Sequence, residues 1–168
     1  PKNLIEDVIR ISKIDASDEI LDIGSATGKG CVGFAKKGYK ITCVEPDKKL
    51  ISVAKEKPSL KNASFINKPF EKADLKDKKF PLITSAQAFH WVDFEKGIKK
   101  VHDLLFPGGY FAFFWNITDF DYSRNLKKAS RIIKKYYGKE PPKKDEFYRI
   151  YKDIKKSEYF PKIKKKKY

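Results

Sequence analysis

The residue pattern from Glu19 to Glu45 constrains this chain more than any other. An apolar run, Ile20-Leu21-Asp22-Ile23, breaks into small residues, Gly24-Ser25-Ala26-Thr27-Gly28-Lys29-Gly30. A second apolar run, Lys40-Ile41-Thr42-Cys43-Val44, ends in Glu45. This order reads as a strand, a tight glycine turn, a short helix and a second strand with a terminal carboxylate. Glycine lets the turn take backbone conformations closed to other residues and lets its peptide planes approach a bound molecule. A carboxylate at the end of the next strand is placed to accept both hydroxyls of a ribose.

The pair therefore predicts a pocket for the adenosine part of a ligand, and the glycine spacing limits which one. Gly28-Lys29-Gly30-Cys31-Val32-Gly33 has the spacing of the dinucleotide fingerprint, but that fingerprint begins where the strand ends, and this match starts several residues late. A phosphate-binding P-loop needs four residues between its glycines, then Lys and Ser or Thr. Gly24 and Gly28 have three between them, and Gly30 follows Lys29.

The rest of the chain alternates. Leu4, Ile5, Val8, Ile9 and Ile11 form a leading helical stripe. Gly30 to Lys37 is a predicted helix closed by Gly38. Pro46-Asp47 opens a helix running to about Lys57, which Pro58 stops. Ala63 to Asn67 and Phe80 to Ala86 are predicted strands three and four. Asp93 caps a helix carrying Phe94, Ile98, Val101, Leu104 and Leu105. Pro107-Gly108-Gly109 is a turn before strand five, Tyr110 to Trp115. Apolar strands alternating with helices predict a doubly wound α/β fold with a mostly parallel sheet. Beyond Asn116, two more helical faces are expected (Leu126 to Tyr137, and Phe147 to Ile154). We expect one domain over 1–168: a core at 1–116 and a basic helical lid and C-terminal segment at 117–168.

The net charge of +16 is uneven: residues 121–168 hold 18 Lys and Arg against 6 Asp and Glu. Such an excess suits nucleic acid, anionic lipid or an acidic substrate, and equally suits solvated helix faces. No apolar run is long enough to span a bilayer. Cys31 and Cys43 make neither a disulfide framework nor a metal spacing, so a reducing cytoplasm is the expected compartment and no metal is expected.

Asp22-x-Gly24-x-Ala26-x-Gly28 directly after the strand resembles motif I of the class I S-adenosylmethionine-dependent methyltransferases. Val44-Glu45-Pro46-Asp47 resembles motif II. Ser85-Ala86-Gln87-Ala88-Phe89-His90-Trp91-Val92-Asp93 resembles motif IV of small-molecule methyltransferases near the trans-aconitate and ubiquinone-biosynthesis type. Leu104-Leu105-Phe106-Pro107-Gly108-Gly109 resembles the turn before strand five. The four stand in family order, and the resemblance covers about Leu4 to Asn116.

The resemblance implies a Rossmann-like sheet of order 3-2-1-4-5 with S-adenosyl-L-methionine as cofactor and S-adenosyl-L-homocysteine as product. It implies cofactor contacts from Asp22, Gly24, Ser25, Ala26, Thr27, Gly28, Glu45, Pro46, Phe70, Ser85 and Ala86. For Asp22 two roles are open: orienting the methionine amino group, or holding the glycine turn through backbone N–H bonds. His90 is the candidate base for a hydroxyl or thiol acceptor; for a carboxylate, His90 or Gln87 would only position it. Trp91 and Phe89 are the candidate substrate contacts. Phe70, Phe89, Trp91 and Trp115 are the aromatic faces available to a cationic sulfonium.

Three departures accompany the resemblance. Ala26 stands where the family has Gly. Pro69 stands where it places an acid near the adenine amine, leaving Phe70 to contact the ring by stacking or through its backbone. The family's C-terminal hairpin is incomplete: Lys162 to Tyr168 would begin strand six and nothing follows, which suggests a truncated C-terminus. The expected activity is methyl transfer to a small-molecule acceptor by in-line displacement. Methylation of RNA or another nucleic acid through the basic C-terminal region, and cofactor binding without catalysis, are the alternatives. The signatures of amino-group and pyrimidine-carbon methylation of nucleic acids are absent. Oligomeric state is not legible.

Overall fold

The computed structural model describes residues 2–116, 128, 131, 132, 134, 135 and 145–168. These fall into two compact units, Pro1–Phe114 with Lys162–Tyr168, and Trp115–Pro161. Most of the helical face expected from Leu126 to Tyr137 lies outside the described residues.

The first unit is a five-stranded, all-parallel sheet of order β3-β2-β1-β4-β5. Its strands are β1 (Glu19–Ile23), β2 (Lys40–Val44), β3 (Ser64–Ile66), β4 (Phe80–Ala86) and β5 (Leu105–Phe114). Its helices are α1 (Lys2–Ser12), α2 (Val32–Ala35), α3 (Lys48–Lys55) and α4 (Phe94–Leu104). The order is the one expected from the sequence. Ile20, Leu21, Ile23, Cys43, Val44, Leu82 and Ile83 are buried, as central parallel strands covered on both faces require. Around Ile20, Cys43 and Leu82 the core closes with Phe34, Ala54 and Leu60, and with the apolar stripe of α1 at Ile5, Val8 and Ile9.

Helix starts follow the expected chemistry. Asp47 Oδ1 accepts the N–H groups of Lys49 and Leu50 at 2.7 and 3.4 Å, and Asp93 Oδ1 accepts that of Lys96 at 3.1 Å. Two elements differ from expectation. The helix predicted over Gly30 to Lys37 shrinks to the four residues of α2, because glycines flank and interrupt it and Cys31 supplies no side-chain cap. The turn predicted at Pro107-Gly108-Gly109 is a bulge inside β5. Phe80 pairs with Leu105 and Leu82 with Tyr110, so one β4 residue faces four, and Gly108 takes φ +78° to make the excursion.

Lys162–Tyr168 shows no strand, contrary to the expected start of strand six. It docks on α1 instead: Asp7 accepts from Lys166 Nζ and, at 2.8 Å, from the Tyr168 hydroxyl. In the second unit, α5 (Asp145–Lys156) matches the expected Phe147–Ile154 face in position, with Ile150 and Ile154 buried. No described helix is long and apolar enough to cross a membrane.

Candidate functional site at the carboxyl edge of the sheet

The carboxyl ends of β1, β2 and β4 meet where the strand order reverses, the place where open parallel sheets build their sites. The loop after β1 is the centre of this region. Gly24 takes φ +66° and Gly28 φ +79°, and the loop closes on itself through Gly28 N–H to Ser25 O at 2.7 Å. A Cβ on Gly24 would lie 2.3 Å from the Ala88 Cβ, so the loops after β1 and β4 touch there and only glycine fits. A Cβ on Gly30 would lie 2.7 Å from the Ala86 Cβ and 3.7 Å from Asp22 Oδ2.

Ala26 also takes a left-handed conformation, φ +47°. Its position thus demands what glycine provides, and the alanine carries the strain. Glu45 explains how the loop holds it. Glu45 Oε2 accepts the Ala26 N–H at 2.8 Å, and Oε1 accepts the Asp47 N–H at 3.0 Å. The carboxylate is buried, and it keeps one acceptor direction on each oxygen for a further donor.

Other residues fix the same loop. Gly24 N–H bonds Val44 O at 2.8 Å, and Lys57 Nζ donates to Thr27 O at 2.7 Å. Asn67 Nδ2 donates to the carbonyls of Glu45 and Pro46, at 3.1 and 2.7 Å, locking the end of β2 to the end of β3. Lys57 and Asn67 escape sequence reading, because their partners are backbone carbonyls distant in the chain.

Asp22 is fully buried under the loop. Its Oδ1 accepts the Thr84 hydroxyl at 2.7 Å, while Oδ2 has no hydrogen-bond partner. Burial pushes the Asp22 carboxyl up to about 6, against the Thr84 bond and the Cys31 thiol, and Glu45 adds to the rise. The partner seen is a hydroxyl on β4 and not a backbone N–H of the glycine turn. Cys31 and Cys43 are both free and buried, with their sulfurs 3.8 Å apart. Contact with Cys43, burial and the neighbouring Asp22 all push the Cys31 thiol up, so it stays protonated. Ser25 Oγ is a second buried polar atom without a partner.

The motif after β4 divides. Ser85 is buried and its hydroxyl bonds Ile23 O at 3.0 Å, which makes it a tie between strands. Gln87 takes φ +53°, is exposed, and donates its N–H to Phe114 O at 2.9 Å. A 3-10 turn follows at Phe89–Trp91. Phe89 is 1% exposed and packs against the Phe111 ring, centroids 5.0 Å apart. This corrects its expected substrate role: the ring anchors the turn. Trp91 is 82% exposed, and its ring lies 4.7 Å from that of half-buried His90.

For Phe70 the stacking alternative is corrected as well. Its ring is buried, with Lys100 Nζ 5.0 Å from the centroid, and its carbonyl accepts Lys100 Nζ at 2.7 Å. It offers no free stacking face. Trp115 belongs to the second unit. The structure therefore gathers Asp22, Gly24, Ser25, Ala26, Thr27, Gly28, Glu45, Pro46 and Ala86 at one edge, beside the turn carrying Gln87, His90 and Trp91.

Comparison with known proteins agrees. The model of a methyltransferase domain family matches residues 21–113. An uncharacterized methyltransferase of Mycobacterium tuberculosis is 30% identical over 104 residues, covering 62% of this chain and 42% of that protein. A probable S-adenosylmethionine-dependent methyltransferase of Saccharomyces cerevisiae is 26% identical over 148 residues, covering 83% and 50%. The chain thus spans about half the length of these relatives. Among solved structures, an S-adenosylmethionine-dependent methyltransferase from Clostridium acetobutylicum superposes with TM-score 0.59 at 21% identity, covering 69% of this chain and 49% of that one. A glycopeptide N-methyltransferase in complex with S-adenosyl-L-methionine gives TM-score 0.59 at 17% identity, covering 73% and 57%. These structural likenesses speak to the fold. With the family model spanning more than half of the chain and the sheet order 3-2-1-4-5, the chain belongs to the methyltransferase domain family, in the class I S-adenosylmethionine-dependent group.

Proposed function

We propose that this chain binds S-adenosyl-L-methionine at the carboxyl edge of β1, β2 and β4 and transfers its methyl group to a small-molecule acceptor. The observation that carries the reading is the junction of Glu45 with the Gly24–Gly28 loop, a buried carboxylate with acceptor capacity left, set against a backbone with room for close approach. The buried atoms without partners fit the same ligand. Asp22 Oδ2 supplies negative charge under a cationic molecule, and Ser25 Oγ is a donor or acceptor in the loop itself.

S-adenosyl-L-methionine supplies an already activated methyl group, so the protein's part is alignment of the acceptor with it. Glu45 holds ribose hydroxyls while keeping the loop closed. Ala86, packed against Gly30, forms the floor at the end of β4. His90 takes the proton of a hydroxyl or thiol acceptor; with a carboxylate acceptor, His90 and Gln87 position it. Trp91 presents an exposed aromatic face to the acceptor.

Calorimetric titration with S-adenosyl-L-methionine and S-adenosyl-L-homocysteine, with NAD as control, tests the cofactor. Binding of the first two alone supports the reading and licenses an acceptor screen. A folded sample that binds neither overturns it.

A further inference from the structure

The Asp22 carboxylate sits in a fully buried cluster built from three elements. Thr84 on β4 donates to Oδ1 at 2.7 Å, and Gly30 leaves the space within which Oδ2 stands unbonded. The titratable groups facing it are Glu45 at the end of β2 and the Cys31 thiol at the start of α2, with Cys43 on β2 behind Cys31. Cys31 stays protonated, and Glu45 is of like charge. No cation among the described residues bonds Asp22, so the site lacks the one partner that would make a buried carboxylate stable as an anion.

We infer that Thr84 is a positioning residue that holds Asp22 with Oδ2 beneath the Gly28–Gly30 loop, and that binding a cationic ligand over this loop drives a proton off Asp22 into solvent. The inference rests on the cofactor site proposed above and adds a linkage to it. Asp22 has no exposed surface, so it acts through its charge at short range. In the free protein below the midpoint, the O–H bond at Asp22 is intact. The ligand's positive charge favours the carboxylate, the O–H bond breaks, and the proton leaves to water. Thr84 donates to the charged form and thereby sets where this happens.

The test is calorimetric titration of the full chain with S-adenosyl-L-methionine from pH 5 to pH 8. Each pH is run in two buffers of different ionisation heat, which counts protons released. We expect release of about half a proton near pH 6, rising toward one proton below it. Affinity should fall by up to ~10-fold per pH unit below the midpoint, the limit for a single linked proton. Thr84→Val should move the midpoint upward, and Thr84→Ser should restore it, which a merely structural threonine would not do. Asp22→Asn should remove the step, and His90→Gln should leave it in place. Binding that is flat across this range, with heats independent of buffer in the unmodified protein, overturns the linkage while leaving the cofactor reading intact. A step that survives in a folded Asp22→Asn variant does the same. No binding at any pH by a folded sample fails the cofactor reading, and this inference with it.

Discussion

Glu45 Oε2 accepts the backbone N–H of Ala26 at 2.8 Å, so the acid that ends the second strand holds the loop that ends the first. With its other oxygen on the Asp47 N–H, one carboxylate serves two backbone donors, and removal leaves both without an acceptor. Glu45→Ala should destabilise the fold by about 1–3 kcal/mol and abolish cofactor binding. Glu45→Gln, which keeps one acceptor oxygen, should be milder in both. Denaturant unfolding and calorimetry on the same samples check this; unchanged stability in Glu45→Ala would show that water replaces the side chain.

Ala26 at φ +47° is strained where glycine is not. Ala26→Gly should raise stability, by about 1 kcal/mol or less, since relief of the left-handed alanine is partly offset by glycine's freer unfolded chain. Gly24→Ala should do the reverse and more, because φ +66° is joined by a 2.3 Å clash with Ala88. Thermal unfolding of the two variants ranks them.

Stability of the free protein should fall as pH rises through the Asp22 window. The folded-state value, about 6, lies above the ordinary 3.8, so between these values the folded state keeps a proton that the unfolded chain gives up. The stabilisation is complete below about pH 4 and lost by pH 7. The difference is on the order of 3 kcal/mol for this group alone. Asp22→Asn should be more stable than the unmodified protein at about pH 7.5 and similar at about pH 3.5. Urea midpoints at the two pH values decide it, and a variant equally unstable at both would refute the assignment.

Trp91 and Phe89, two positions apart, should behave oppositely. Phe89→Ala removes a buried ring and should cost about 3–5 kcal/mol. Trp91→Ala removes an exposed one and should change stability by less than about 0.5 kcal/mol. If Trp91 faces the acceptor, its loss should raise KM for that acceptor and leave S-adenosyl-L-homocysteine affinity unchanged.

Much of this molecule is written in local pattern. Apolar runs mark β2 and β4 at their observed limits, and Asp47 and Asp93 announce the helices they cap, because a cap reaches only two or three residues ahead. The glycine loop is legible for the same reason: few residues besides glycine accept φ near +66° or +79°. The sheet order 3-2-1-4-5 is implied by the family resemblance of the four motifs, and the folded chain has it.

Tertiary structure alone decided the rest. Glu45 finds Ala26 across 19 residues, and Thr84 finds Asp22 across 62. Neither spacing belongs to any helix or strand period. Lys100 covers Phe70 from 30 residues away and removes it as a stacking face. Phe89 and Trp91 share one apolar motif and one turn, yet the turn buries the first and exposes the second. Local pattern records which backbone conformation a segment prefers. Which side chain ends up dry, charged or partnered depends on strands brought side by side from distant parts of the chain, and only the folded sheet sets that.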